Sequence, residues 1–323
     1  MNKLAVALGI AALVAIAGAS SVRADHDPAN ECLGGGSVTQ TIRGTAGNDS
    51  IVGTPGNDIV KGLAGDDTID GGGGRDILCG EEGNDVLIGG DGGDSLDGGP
   101  GDDRLDGGSG FDLAFFRRST APVTASLATS SATGDGTDTL VALEGLSGSP
   151  LNDTLAGDSG DNLLDGFGGN DVLSAGAGID ALDGDAGNDI LDGGPGIDFV
   201  YYIFAPRGIT ANLGTRKARG WGTDTLRGIE DIEGSPYADV LIGDSRANTL
   251  NGAGAQDRVE GGGGNDTIQG DGGGCVLPDC TPGADRMFGG AGRDVLTGGP
   301  RRDYADGGPG RDRCISEQKR RCP

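Results

Sequence analysis

Apolar side chains recur at every ninth position from Ile51 to Ala114, through Val60, Ile69, Leu78, Leu87, Leu96 and Leu105. Two positions before each of them stands an aspartate, and the residues between are mostly Gly and polar. Eight contiguous units of the form G-x-x-G-x-D-x-h-x, with h apolar, fill residues 44–115. One apolar residue in nine fits neither the helical period nor a long alternating strand, whereas a fixed short repeat is the mark of a solenoid. Gly at positions 1, 2 and 4 permits φ > 0 and close chain approach, so the first six residues read as a tight loop. The last three read as a minimal strand with its middle side chain inward. Two units make one 18-residue coil with a strand on each side. The fold class predicted is all-β, a right-handed parallel β-roll or β-helix solenoid with two nonapeptide units per coil.

The period breaks at Phe116, returns as six units over 148–201, breaks again at 202–233, and returns as four units over 234–269. The breaks are copies of each other: GFDLAFF (110–116) matches GIDFVYY (196–202), and GTDTLVALEGLSGSP (136–150) matches GTDTLRGIEDIEGSP (222–236), at an offset of 86 residues. Residues 116–147 and 202–233 are expected to form wider coils plugged by aromatics such as Phe115, Phe116, Tyr201, Tyr202 and Trp221. Residues 270–315 carry degenerate repeats around a Cys275–Cys280 insertion, and 316–323 form a basic cap. At the other end, the apolar run Leu4 to Ala19 behind Lys3 reads as a signal peptide over 1–24, cleaved after Ala24. A lead-in follows over 25–43. Cleavage would remove Lys3 and Arg23, taking the net charge from −26 to −28, and would place the chain outside the cell.

Composition narrows the picture. Gly supplies 69 of 323 residues and aromatics only 4%, so no thick globular core is available. Six cysteines in a secreted chain favour disulfides. Cys275 with Cys280 and Cys314 with Cys322 are plausible local staples, leaving Cys32 with Cys79, although other pairings are open. From Arg286 onward, nine Lys/Arg face five acids in an otherwise acidic chain. That asymmetry suits a solvated end cap, or an anionic cell-surface polymer as partner.

Stacking creates the chemistry. Coils about 4.8 Å apart would align Asp58, Asp76, Asp94 and Asp112 on one edge and Asp49, Asp67, Asp85 and Asp103 on the other. Like charges at that spacing repel by about 3 kcal/mol at intermediate dielectric, and a hard cation reverses the sign. The donors are oxygens only, without Cys or His in the repeat, which favours Ca²⁺ over the stricter Mg²⁺.

The unit resembles the nonapeptide G-G-x-G-x-D-x-U-x of the RTX (repeats-in-toxin) calcium-binding β-roll proteins. The resemblance implies ions held between neighbouring loops by carboxylates and backbone carbonyls. Carried onto this chain, the candidate ligands are Asp49, Asp58, Asp67, Asp76, Asp85, Asp94, Asp103 and Asp112, then Asp153, Asp171, Asp180, Asp189 and Asp198. They continue as Asp239, Asp257 and Asp266, and finally Asp285, Asp294, Asp303 and Asp312. Asn162 and Asn248 replace the aspartate, while Leu151, Tyr237 and Arg301 replace the fourth-position Gly, so those units are expected to be weak or empty. Counting each ion between a loop and the next loop on its edge allows at most about 14 Ca²⁺ ions.

Catalytic chemistry finds no footing. His26 is the single histidine, and no nucleophile–base or metalloprotease motif can be assembled around it. The acidic chain argues against nucleic acid, and beyond the leader no apolar run reaches membrane length. The expected function is a non-enzymatic, monomeric, secreted calcium-binding protein that folds on its ions and serves as a structural or binding module. The alternatives are an accessory module of a secreted hydrolase or polysaccharide-modifying enzyme, or a surface adhesion or ice-binding protein.

Overall fold

The computed structural model describes residues 40–271 and 281–322. The signal-peptide reading, the lead-in up to residue 39, Cys32 and the Cys275–Cys280 insertion lie outside the described residues. The described residues form two compact units, divided between Ala177 and Gly178. Strands and loops make up both, with no helix among the described residues.

In the N-terminal unit, strands 18 residues apart pair in parallel, because each loop–strand unit turns the chain half a coil. One sheet stacks Asp58–Ala64, Ile77–Glu82, Ser95–Asp97 and Leu113–Phe115 in register. Val60, Leu78, Leu96 and Ala114 thereby form one inward row, all fully buried. The facing sheet stacks Thr68–Gly74, Val86–Gly92 and Arg104–Gly110, with Ile69, Leu87 and Leu105 as its row. Each such side chain contributes about 1.5–3 kcal/mol by burial, and the repeat compensates in number for what it lacks in thickness. The C-terminal unit repeats the scheme. Val200, Ile232, Leu250, Ile268, Leu296 and Cys314 form one row, and Ala211, Leu241, Val259, Met287 and Ala305 lie on the other sheet.

The inserts are not wider coils. In the first, Thr137–Val141 continues the sheet in parallel with Arg104–Gly110, but Ser131–Thr133 and Thr124–Ser126 then run antiparallel before Thr154–Ala156 resumes the parallel order. The second does the same with Thr223–Arg227, Lys217–Arg219 and Thr210–Asn212. Each insert widens one sheet by a meander and leaves the opposite sheet a single strand, Gly145–Ser147 or Asp231–Glu233. The meander is possible because its inward residues are small. Ala132 opposes both Ala125 and Asp138, so the strands close over an inward aspartate.

Candidate metal centre

The position-six aspartates point inward at the strand entrances, where one oxygen of most of them is fixed by the neighbouring coil, Asp58 Oδ1 being buried without a partner. The backbone N–H of Asp67 donates to Oδ1 of Asp85 at 2.8 Å, and those of Asp76, Asp85 and Asp94 donate to Asp94, Asp103 and Asp112 at 2.8, 2.8 and 2.7 Å. In the C-terminal unit Asp257 donates to Asp285, Asp266 to Asp294 and Asp285 to Asp303, at 2.9–3.0 Å. Backbone donors thus take up half of these carboxylates, which eases the repulsion expected from the sequence without removing it.

The other oxygen divides the loops into two kinds. In closed loops the position-two N–H turns back onto the carboxylate of its own unit. Thr45 donates to Asp49 Oδ2, Thr54 to Asp58 Oδ2, Ser149 to Asp153 Oδ2 and Ser235 to Asp239 Oδ2, at 2.5–2.6 Å. Asp158 and Asp244 do the same to Asn162 and Asn248. In open loops position two has φ > 0, whether it is Gly72 and Gly90 or a side-chain residue such as Leu63 (φ 88°), Glu81 (75°) or Ala253 (71°). The N–H then faces away, and Oδ2 is left buried without a partner at Asp67, Asp76, Asp85, Asp94, Asp103, Asp112, Asp198, Asp257, Asp266, Asp294, Asp303 and Asp312. Asp285 Oδ2 is orphaned too. Asp171, Asp180 and Asp189 are equally buried and follow positive-φ residues Phe167, Gly176 and Asp185.

Burial raises several of these carboxyls. It pushes Asp76 and Asp103 up to about 7, with the neighbours Asp94 and Asp58, or Asp138 and Asp85, adding to the rise. Asp85 and Asp112 reach about 6, Asp198, Asp266 and Asp285 about 7, and Asp257 about 9. An orphaned, desolvated anion of this kind is costly unless a positive charge joins it.

The space beside the orphan oxygens matches such a charge. A Cβ placed on Gly71 would stand 2.5 Å from Asp76 Oδ2 and 2.7 Å from the carbonyl of Gly89 on the next coil. On Gly289 it would meet Asp294 Oδ2 at 2.5 Å and the Gly307 carbonyl at 2.6 Å. Position one is therefore glycine for room and not for its φ, since a carboxylate oxygen and a carbonyl oxygen converge there. Among the described residues no three His, Cys, Asp or Glu side chains converge, so backbone carbonyls must complete any coordination. One or two carboxylates with carbonyls is a hard, all-oxygen donor set that fits Ca²⁺.

The sequence model of the RTX calcium-binding nonapeptide repeat matches residues 43–78, 52–87, 80–114, 147–182, 165–200, 233–268 and 281–314, more than half of the chain. The chain belongs to the RTX calcium-binding nonapeptide repeat family. Among curated proteins none matches it. RTX membership makes this a calcium-binding repeat protein with a β-roll, and Ca²⁺ is the ion its open loops fit.

The RTX pattern does not reach every acid in the ladder. Asp103 donates its N–H to Asp138 Oδ1 at 3.0 Å and Asp112 to Glu144 Oε2 at 2.9 Å. In the second copy Asp189 donates to Asp224 and Asp198 to Glu230, both at 3.2 Å. At the C-terminal end Asp303 donates to Glu317 Oε2 at 3.0 Å. A search for the glycine loop misses these positions. The signal that survives in the inserts is an acid two residues before a buried aliphatic: Asp138 and Leu140, Glu144 and Leu146, Asp224 and Leu226, Glu230 and Ile232.

The units expected to be weak divide on the same geometry. Asp153 and Asp239, in the Leu151 and Tyr237 units, sit in closed loops with a second bond from Ser149 Oγ or Ser235 Oγ at 2.9 and 2.7 Å. Asn248 donates from Nδ2 to the Glu230 carbonyl at 2.8 Å, and Asn162 to the Glu144 carbonyl at 3.3 Å. An amide proton there bridges to the preceding coil. Arg301 is different: it holds φ at 87°, and Asp303 keeps an orphaned oxygen, so its loop is open like its neighbours. Of the cysteines, Cys314 and Cys322 are bonded to each other. Cys79 is disulfide-bonded as well, while its expected partner Cys32 lies outside the described residues. No helix among the described residues is long and apolar enough to cross a membrane.

Proposed function

We propose that the chain works as a secreted, non-enzymatic scaffold whose two units become ordered when Ca²⁺ occupies the open loops. The observation that supports this most directly is the row of buried, unpartnered Oδ2 atoms along both units. A core of one aliphatic per nine residues carries little surplus stability, and a chain of formal charge −26 resists compaction without counter-ions. Ion binding and folding are then one event. Secretion through the N-terminal leader would deliver a soft, ion-poor chain to a calcium-rich exterior. The ligands we assign are the open-loop aspartates, while the closed loops at Asp49, Asp58, Asp153 and Asp239 and the asparagine units take weak ions or none. The number bound would therefore fall below 14. A monomeric structural or binding module is the role this suits, and the basic end from Arg286 is the surface best matched to an anionic polymer.

Far-UV circular dichroism alongside calorimetric Ca²⁺ titration tests the reading. Strand signal should appear with calcium and vanish in excess chelator at neutral pH. Equal strand content in both conditions would overturn it.

A further inference from the structure

The inserts lie outside the segments that the RTX repeat matches, yet their acids continue the ladder. The two copies differ in what surrounds the second oxygen of each acid. In the C-terminal copy both second oxygens have protein donors. Tyr202 donates its hydroxyl to Asp224 Oδ2 at 2.9 Å inside the core, and Arg246 pairs through Nη1 with Glu230 Oε1. Arg246 also donates to the Ile229 carbonyl at 3.1 Å, so its guanidinium occupies the place of a cation between carboxylate and carbonyl.

At the offset of 86 residues, the N-terminal copy has Phe116 where Tyr202 stands and Gly160 where Arg246 stands. Neither has a side-chain donor to offer Asp138 or Glu144. The ladder oxygens beside them, Asp103 Oδ2 and Asp112 Oδ2, are unpartnered on residues 3% and 0% exposed, as Asp198 Oδ2 is in the second copy, so the copies differ in the donors that meet the insert acids themselves. A Cβ on Gly107 would stand 2.8 Å from Asp112 Oδ2 and against the Ala142 carbonyl. The insert thus rebuilds, with Ala142, the pairing of carboxylate and carbonyl found in the open loops.

We infer that Asp138 and Glu144 are calcium ligands, carrying the ion ladder through the first insert, and that Tyr202 and Arg246 replace calcium at Asp224 and Glu230. The inference rests on calcium filling the open loops.

Calorimetric titration of the full chain with CaCl₂ tests it in three forms: wild type, D138N/E144Q and D224N/E230Q. The first double variant should lose at least one bound ion or show one class of site weakened at least tenfold. The second should titrate like wild type. Equal losses in both, or none in either, would overturn the inference. Should D138N/E144Q fail to fold, F116Y/G160R keeps every acid and installs the second copy's donors. It should lower the ion count, and an unchanged count overturns the inference. A wild-type chain that takes up no calcium overturns the parent reading as well, whereas matched losses in a calcium-binding wild type overturn this one alone.

Discussion

The two inserts have the same strand order and register, and they settle their buried polar groups by different means. In the N-terminal copy, Arg117 is buried between Phe115 and Phe167, its Cζ 5.0 Å from each ring centroid. It donates to Ser147 Oγ at 2.9 Å and to Asp165 Oδ2 at 2.8 Å. Arg118 reaches Asp97 at 2.9 Å. In the C-terminal copy Ile203 and Phe204 replace the two arginines. The polar pair there is Asn251 donating to Glu233 at 2.7 Å, and burial lifts Glu233 to about 7. One copy keeps its cations in the aromatic plug and leaves its ladder acids open. The other has no arginine at those plug positions and brings tyrosine and arginine to the ladder. A duplicated backbone therefore does not carry duplicated electrostatics, because each buried charge is answered by whatever side chain stands nearest in space.

The largest effect should come from pH, acting on both copies in excess chelator. Asp76, Asp85, Asp103 and Asp257 are raised from 3.8 to about 6–9 in the ordered state. Groups raised on folding stabilise the fold at low pH and lose that contribution as pH climbs through their folded values. Ion-free protein should therefore retain strand signal near pH 4 and lose it between about pH 6 and 8, and when calcium is supplied protons should compete with it for the same carboxylates. Ion-free strand content that instead rises with pH would contradict the burial of these groups.

Next in size, Arg117→Met in calcium-saturated protein should destabilise the N-terminal insert by about 2–4 kcal/mol, since it leaves Asp165 without its cation, held only by Ser147 Oγ and the Phe167 N–H. Ile203→Met at the matching position should cost less than about 1.5 kcal/mol. Urea unfolding with hydrogen exchange read over 113–147 and 199–233 separates the two. Equal costs would mean that the copies differ less than their contacts suggest.

Tyr202→Phe removes the donor to Asp224 and should cost about 1–3 kcal/mol, visible in the fluorescence of Trp221, the sole tryptophan. Phe116→Leu in the other copy removes no donor and should leave the polar ladder unchanged. Smallest is a backbone pair. Ala142 and Gly228 occupy the same position with φ of 47° and 59°. Ala142→Gly should gain up to about 1 kcal/mol of stability, and Gly228→Ala should lose about as much or more, because its Cβ would meet Gly194 N at 2.7 Å. Thermal melts in calcium that show the same sign for both would refute this.

Much of the site is legible in the order of the residues. Asp67 and Ile69 recur with their period because the coil repeats every 18 residues, and a period of nine is visible without knowing where the chain goes. The kinds of loop are harder to see. Whether Oδ2 is orphaned depends on the φ of position two, and Leu63 or Glu81 at φ > 0 is not predictable from its side chain, since neither favours that conformation. Thr54, Ser149 and Ser235 in the closed loops carry a weak mark, a hydroxyl two residues from the next backbone N–H. Asp138 and Glu144 escape the repeat pattern because their glycine loops are absent and only the spacing to Leu140 and Leu146 remains.

The sequence alone determined the coil length, the two facing rows of aliphatics, the all-oxygen character of the site and membership of the calcium-binding family, because each of these is a property of the repeat. Tertiary structure decided the rest. It folded the inserts into antiparallel meanders, gave one oxygen of most of the aspartates to a backbone N–H of the neighbouring coil, and brought Tyr202 to Asp224 and Arg246 to Glu230 across 22 and 16 residues. Those partnerships are made by side chains that meet across coils, where distance along the chain carries no information about distance in space.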